Sequence, residues 1–276
     1  MSEPVDGSKS SQERLKKGLA KVSTPTPSSS YHPLMTPTPY REKRLIRNVG
    51  RAIHRYNMIS DGDRIAVGLS GGKDSLTLMW VLMYRLRRIP ITYSLLAIYI
   101  DLGFSEDYSK RLKDFCNVMG YNLHIEYTDY GNYAHSSHNR ENPCFLCARL
   151  RRKRLFELAD EFGCNKLALG HNKDDIIETL FLNMFYSGEI STMTPYQPFF
   201  QGKLTIIRPL ALIDEQDIAA FAQYHGFPEL KNPCPSAVNS KRSEIKEILA
   251  KLYQRNRKVK GNIFRAMSNV KQEYLL

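Results

Sequence analysis

The chain has 276 residues, 42% of them hydrophobic, enough to fill one large core or two small ones, and it carries a net charge of +12. No stretch approaches the roughly 18 uninterrupted apolar residues of a membrane span, and the start, MSEPVDGSKSSQERLKK, lacks the apolar run of a signal peptide. A cytoplasmic protein without membrane contact is expected, whose five cysteines serve as thiols or metal ligands rather than as a disulfide framework.

From Val22 to Tyr40 the chain is uncharged and rich in Ser, Thr and Pro, so residues 1–40 read as a disordered, flexible tail. Helical periodicity begins near Arg41, with Leu45, Ile46, Val49, Ile53 and Tyr56 on one side. An alternation follows: strand 64–69, helix 74–87, strand 93–101, helix 105–119 and strand 122–128. After an irregular stretch at 129–145 come helix 146–162, strand 165–170, helix 173–186, a short strand near 204–207 and helix 214–225. Strands alternating with helices predict an α/β fold with a doubly wound parallel sheet covered on both faces. Ligands of such sheets sit beyond the strand C-termini. Three candidate sites lie there: Ser70–Ser75, Asp101, and GHNKDD at Gly170–Asp175.

The first of these carries the sharpest signal. VGLSGGKDSLTLMW, Val67 to Trp80, reads as a buried strand, a glycine turn and an apolar helix. A glycine-rich turn that opens a helix aims backbone N–H groups and the positive dipole end at an anion. Gly71 and Gly72 permit close approach, Ser70 and Ser75 offer hydroxyls, and Lys73 adds charge, so the expected ligand is a phosphate. The P-loop spacing G-x-x-x-x-G-K-[ST] does not fit: Gly72 follows Gly68 one position too early, and Asp74 stands in place of Ser/Thr. The string S-G-G-K-D-S resembles instead the signature of PP-loop ATP pyrophosphatases. That resemblance implies ATP cleaved between the α and β phosphates, with AMP activating a substrate oxygen.

The second constellation is NPCFLCARLRRKR, which places Cys144 and Cys147 at the start of a helix, followed by Arg149, Arg151, Arg152, Lys153 and Arg154. A helix N-terminus and nearby cations lower thiol pKa values. A thioredoxin-type pair needs a different fold context, and a closed zinc site needs a second C-x-x-C, which the sequence lacks. The remaining reading joins the pair to one remote cysteine and leaves a metal position open. Cys116 and Cys164 read as packing residues. Cys234, between two prolines in a loop before the basic tail, is the expected third ligand.

Four stretches in order, RLIRNVGRAIHRYNMISDGDRIAVGLSGGKDS, CFLCARLRR, KLALGHNKDDIIETLFLNMFYSG and IIRPLALIDEQDIAAFA, resemble the tRNA 2-thiocytidine biosynthesis (TtcA) family of PP-loop enzymes over about residues 44–236. The resemblance implies an adenine nucleotide α-hydrolase-like fold and a homodimer that uses ATP and Mg²⁺ to thiolate the cytidine at position 32 of tRNA. It implies a [4Fe–4S] cluster on Cys144, Cys147 and Cys234, one iron without a protein ligand, and a sulfur donor such as a cysteine desulfurase. By the same analogy Gly68, Leu69, Ser70, Gly71, Gly72, Lys73, Asp74, Ser75, Gly170 and Asp175 meet the nucleotide. Lys73, Asp74 and Asp175 are the expected catalytic residues. Lys73 offsets charge on the departing pyrophosphate, and Asp74 or Asp175 holds Mg²⁺. His171 and Asp174 divide evenly between helix capping and direct catalysis. The family's third cysteine commonly opens a second C-x-x-C, but here the place reads Cys234-Pro-Ser-Ala, which favours three ligands.

The expected division is a tail over 1–40, a PP-loop domain over 41–236 and a basic helical segment over 237–276. Residues 241–276 hold ten Lys/Arg against three Asp/Glu, with Ile245, Ile248, Leu249 and Leu252 at helical spacing, which suits RNA or a solvated face equally. Two alternatives to the thiocytidine reading are a PP-loop enzyme acting on another tRNA base and an RNA-binding module with a relic loop.

Overall fold

In the computed structural model, which describes residues 40–230, 234–235 and 241–274, helices and strands alternate around one sheet. The chain runs through α1 (Tyr40–Arg55), β1 (Asp63–Leu69), α2 (Lys73–Leu86), β2 (Tyr93–Asp101), α3 (Glu106–Met119) and β3 (Leu123–Tyr127). A short α4 (Tyr130–Ala134) and a long α5 (Pro143–Glu161) precede β4 (Lys166–Ala168), α6 (Lys173–Tyr186), β5 (Tyr196–Phe199), β6 (Leu204–Ile207) and α7 (Glu215–Tyr224). Two helices follow, α8 (Lys241–Arg255) and α9 (Val259–Ala266). The tail expected over residues 1–40 lies outside the described residues except for Tyr40, which opens α1.

The six strands stand in the order β3-β2-β1-β4-β6-β5. Five are parallel, and β5 pairs antiparallel with β6 at the edge, so the wholly parallel sheet expected from the sequence becomes a mixed one. The chain builds outward from β1 to β3, then crosses back to place β4 on the other side of β1. That reversal makes the carboxyl ends of β1 and β4 the switch point where such sheets bind ligands. β5 escaped prediction because Tyr196-Gln-Pro-Phe199 contains a proline, which edge strands tolerate and central strands do not.

Side-chain alternation explains the two covered faces. Ile65, Val67 and Leu69 of β1 join Ala97 and Tyr99 of β2 in a core shared with α1, α2, α3 and α7. Ala66, Ile98 and Ile100 point the other way, to Leu158 and Ala159 of α5. In α1, Leu45, Val49, Ala52 and Ile53 are buried at helical spacing, as expected for a helix lying on a core. Helix α5 starts three residues earlier than predicted. Asn142 caps it by accepting hydrogen bonds from the N–H groups of Cys144 and Phe145, and Pro143 occupies the first helical position, where its missing N–H costs nothing.

The basic C-terminal segment forms two helices, and both pack on α6. Ile245 and Leu249 of α8 are buried against Ile177, with Phe181, Ile263 and Phe264 packed around them. Burying an Ile or Leu side chain contributes about 1.5–3 kcal/mol each, so this docking places the cations of α8 and α9 beside the N-terminus of α6. Among the described residues, no helix is long and apolar enough to cross a membrane.

Candidate active site

The loop after β1 is a backbone cradle whose shape depends on its small residues. Gly71 has φ +74, and a Cβ there would lie 2.4 Å from the Tyr108 hydroxyl oxygen. That hydroxyl donates to the Ser70 carbonyl and pins the turn. Gly72 is the N-cap of α2. Ser75 is buried and closes the loop on itself: its Oγ accepts from the Ser70 N–H at 3.1 Å and donates to the Gly72 carbonyl at 3.0 Å. The first-turn N–H groups of α2 have no intrahelical acceptor and are left for an anion.

Gly170, beyond β4, supports the cradle from behind. A Cβ there would meet Ser75 N at 3.0 Å and the Asp74 carbonyl carbon at 3.1 Å, so backbone packs on backbone. Gly68, expected at the nucleotide, is also a packing position. It lies within β1, and a Cβ there would press on the Leu169 side chain at 2.9 Å. Its smallness admits Leu169, the residue that follows β4.

A cavity of about 200 Å³ opens beyond β1 and β2, lined by Leu69, Ser70, Gly72, Tyr99, Asp101, Tyr108, Arg151 and Leu230 among others. Asp101, the candidate at the end of β2, is buried; it accepts from the Ser109 hydroxyl, and its Oδ1 accepts the Gly103 N–H at 2.8 Å. It holds the cavity floor through these bonds.

Lys73 is the first residue of α2, although the sequence placed it on the loop, and it is already engaged. Its Nζ lies 2.9 Å from Glu215 Oε1 and 3.2 Å from Asp74 Oδ2. Burial pulls its pKa down, but the Glu215 hydrogen bond and the charges of Asp74 and Glu215 carry it above the ordinary lysine value. Asp74 in turn accepts from Asn172 Nδ2 at 3.1 Å.

Asn172 caps α6 in a reciprocal box: its Oδ1 accepts from the N–H groups of Asp174 and Asp175, while Asp175 Oδ2 accepts the Asn172 N–H. Burial raises the Asp175 pKa, against the opposing effects of that backbone bond and of Arg242, which lies 3.2 Å from Oδ1. Asp174 is a capping residue too, since its Oδ2 accepts the Glu215 N–H at the start of α7 at 2.8 Å. Thus six carboxylates, Asp74, Asp174, Asp175, Glu178, Asp214 and Glu215, meet five cations, Lys73, Lys173, Arg242, Lys246 and Lys260. Burial pushes Glu178 up to about 7 despite Lys246 and Arg242. Three of the five cations come from α8 and α9, which the sequence had offered equally to RNA or to a solvated face.

The cysteines divide as their surroundings dictate. Cys116 and Cys164 are buried in the two sheet cores, and burial pushes Cys116 up to about 12. Cys144 is exposed at the start of α5, Cys147 is buried one turn on, and Cys234 is half-buried. Burial raises the Cys147 pKa, Arg151 lowers it, and the charges of Cys234 and Cys144 raise it further, so Cys144 and Cys234 each lie within electrostatic reach of Cys147. No three His, Cys, Asp or Glu side chains among the described residues converge tightly enough to hold a single metal ion. Three soft thiolates without a carboxylate or imidazole suit an iron–sulfur centre.

Arg151 links the cysteine site to the cavity. Arg151 lies one turn beyond Cys147 on the same helix and lines the cavity, and Leu230, four residues before Cys234, lies 3.0 Å from the place of a Gly71 Cβ. Sequence reasoning left Arg151 undistinguished within its basic run. Its signal was the spacing of four from Cys147, which puts both on one helix face. Asn172 and Glu215 lie inside quoted stretches but were given no role, and Tyr108 lies outside them, because each reaches the loop only through the fold.

Residues 42–252 match the PP-loop domain family. A tRNA-cytidine(32) 2-sulfurtransferase of Geotalea uraniireducens is 41% identical over 236 residues, 84% of this chain and 94% of that protein. The protein of the same name from Pelobacter propionicus is 39% identical over 259 residues, 91% of this chain and 96% of its own. Among solved structures, the U34-tRNA thiolase NcsA from Methanococcus maripaludis with its [4Fe–4S] cluster superimposes with a TM-score of 0.71 at 28% identity, covering 86% of this chain and 80% of that one.

Proposed function

The chain belongs to the tRNA-cytidine(32) 2-sulfurtransferase family of PP-loop proteins, and from this we propose that it thiolates the cytidine at position 32 of tRNA at the expense of ATP. The observation that carries the reading is the position of Arg151, which lines the cavity beside the Ser70–Ser75 loop and lies within electrostatic reach of Cys147.

In the first step the cytosine C2 oxygen attacks the α phosphorus, the bond to the β-phosphate oxygen breaks, and pyrophosphate leaves. The α2 N-terminus and the backbone of Ser70–Ser75 hold the phosphates, and Lys73 leaves Glu215 to offset charge on the departing pyrophosphate. Sulfur then adds at C2, and AMP leaves with the former cytosine oxygen. Arg151 is placed to balance negative charge between the two sites. A [4Fe–4S] cluster on Cys144, Cys147 and Cys234 would supply an iron without a protein ligand, able to hold the sulfur to be transferred. Mg²⁺ would take Asp74 or Asp175 together with phosphate oxygens, which for Asp175 requires Arg242 to yield Oδ1. A homodimer, a cysteine desulfurase as sulfur source, a cytoplasmic location, and a PP-loop domain over 41–236 followed by a basic helical segment over 237–276 complete the proposal.

The test is to incubate anaerobically prepared protein with ATP, Mg²⁺, sulfide and unmodified tRNA. AMP and pyrophosphate in equal amounts, with 2-thiocytidine by nucleoside mass analysis, are expected. ADP as the main product, or thiouridine in place of thiocytidine, overturns the reading.

A further inference from the structure

The basic run on α5 is sorted by its partners. Arg149 pairs with Glu141, Lys153 with Glu157, and Arg154 with Glu126, Glu157 and Glu161. Arg151 and Arg152 have no carboxylate within ion-pair distance among the described residues, and neither does Arg208, which follows β6. Arg208 is the unusual one, because only 5% of it is exposed. Its bonds all go to neutral acceptors: the Thr194 carbonyl, Gln197 Oε1 and His171 Nδ1. A buried guanidinium without a counter-charge is costly unless something anionic completes it.

His171 supplies the other half of the observation. Its Nδ1 accepts from Arg208 Nε at 3.3 Å, which in the neutral ring leaves the proton on Nε2 as a donor. The ring stays neutral, held down to about 3 by burial and then by the charges of Arg208, Arg242, Arg151 and Arg152. Burial, and then Arg152, likewise lowers Arg208 to about 10. Arg208 and His171, joined by a hydrogen bond beyond the ends of β6 and β4, therefore lie within electrostatic reach of Arg151 and Arg152 of α5, and none of the three arginines has a carboxylate partner among the described residues.

We propose that Arg152, Arg208 and His171 form a receptor for a backbone phosphate of the RNA substrate, which sets the register of the target base beside the cavity. The assignment rests on the tRNA-thiolating reading above. Pyrophosphate shares the same chemistry, but it leaves from the cradle at the N-terminus of α2, where Lys73 attends it. The Arg152 side opens to solvent on α5, from which a polynucleotide chain can enter. Phosphate contacts of this kind fix position and carry no base information.

The experiment measures binding of a labelled anticodon stem-loop RNA to the full-length, anaerobically prepared protein over a range of salt. Arg152→Gln, which disturbs none of the Arg208 bonds, should weaken binding several-fold and reduce the salt slope by about one unit. Arg208→Gln should do the same in protein with a wild-type melting curve, and Arg208→Lys should restore part of the slope. Lys113→Gln, an equal loss of charge on exposed α3, should change little. Wild-type affinity and slope in Arg152→Gln, or an equal loss in Lys113→Gln, overturns the proposal. So does unchanged RNA binding with weakened inhibition by pyrophosphate, which would give the receptor to the leaving group. If the unaltered protein binds no RNA, the thiolation reading itself fails.

Discussion

The loop at Ser70–Ser75 and the helices α8 and α9 both end at the same carboxylates, yet one is assembled by neighbours in sequence and the other by distance. In the loop, a hydroxyl, two glycines and a helix N-terminus lie within six residues, and their hydrogen bonds close locally. In α8 and α9, Arg242, Lys246 and Lys260 reach Asp175, Glu178, Glu215, Asp174 and Asp214 only because Ile245 and Leu249 dock on α6. A local motif declares its ligand, whereas a charge run does not declare its partner. The same contrast recurs in the cysteines, where Cys144 and Cys147 share one turn and Cys234 comes from a remote loop.

The largest expected effect breaks the remote half of the cysteine site. Cys234→Ala should abolish the brown colour of anaerobically purified protein as fully as Cys144→Ala or Cys147→Ala, and thiolation with it. Cys116→Ala should keep the colour and cost about 1–3 kcal/mol of stability through lost packing. An iron–sulfur absorption band that survives in Cys234→Ala removes the remote ligand. Colourless parent protein with one bound zinc after anaerobic reconstitution removes the centre altogether.

Next in size is the local half. Lys73→Ala should slow AMP and pyrophosphate release on the order of a hundredfold or more, as loss of a preorganised charge does elsewhere. Glu215 then keeps Lys246 as a partner at 2.8 Å, so the fold should persist. Wild-type turnover by a folded Lys73→Ala variant would return the cradle to an ordinary glycine turn.

Most of the order of strands and helices was legible from periodicity, as was the glycine turn between β1 and α2 from six consecutive residues. The strand β5 was not, because its stability comes from pairing with β6 rather than from its own pattern. Gly68 and Gly170 were read as ligand contacts, and the fold adds a second reason for each to be small: Gly68 makes room for Leu169 and Gly170 for the backbone of Asp74 and Ser75. A glycine tells the reader that space is short and leaves open what fills it. Lys260 belongs to the basic segment that suited RNA or a solvated face equally, and the structure turns it inward, since the acids that claim it stand 46 and 86 residues away in sequence, at Asp214 and Asp174.

That correction yields a third prediction. Lys260→Met removes the ion-pair partner of Asp174 Oδ1, 2.6 Å away, and the nearer of two partners of Asp214 Oδ1, 2.8 Å away, leaving Lys173 at 3.3 Å, in a place where the lysine side chain is only 18% exposed. Two acids left short of a donor should lower stability by about 1–3 kcal/mol in chemical denaturation, while RNA affinity per folded molecule holds. Weakened RNA binding with unchanged stability would restore Lys260 to the RNA surface and erase the contrast drawn above.

The smallest effect concerns the cations that the inner carboxylates leave alone. Lys251, Arg255, Arg257 and Lys258 are exposed, and none has a carboxylate within ion-pair distance among the described residues. They occupy the end of α8 and the turn into α9, held in place by a helix whose inner face is buried, so they present fixed charge rather than a loose tail. If they meet tRNA phosphate, Lys251→Gln combined with Arg255→Gln should weaken binding to every RNA tested by a similar factor. Each lost contact should lower the salt slope by about one unit, without preference for the base at position 32. The catalytic rate at saturating tRNA should stay the same, because neither residue contacts the cradle or its carboxylates. An unchanged slope would make this face a solvated one, leaving the receptor around Arg208 and the cavity wall at Arg151 to hold the RNA.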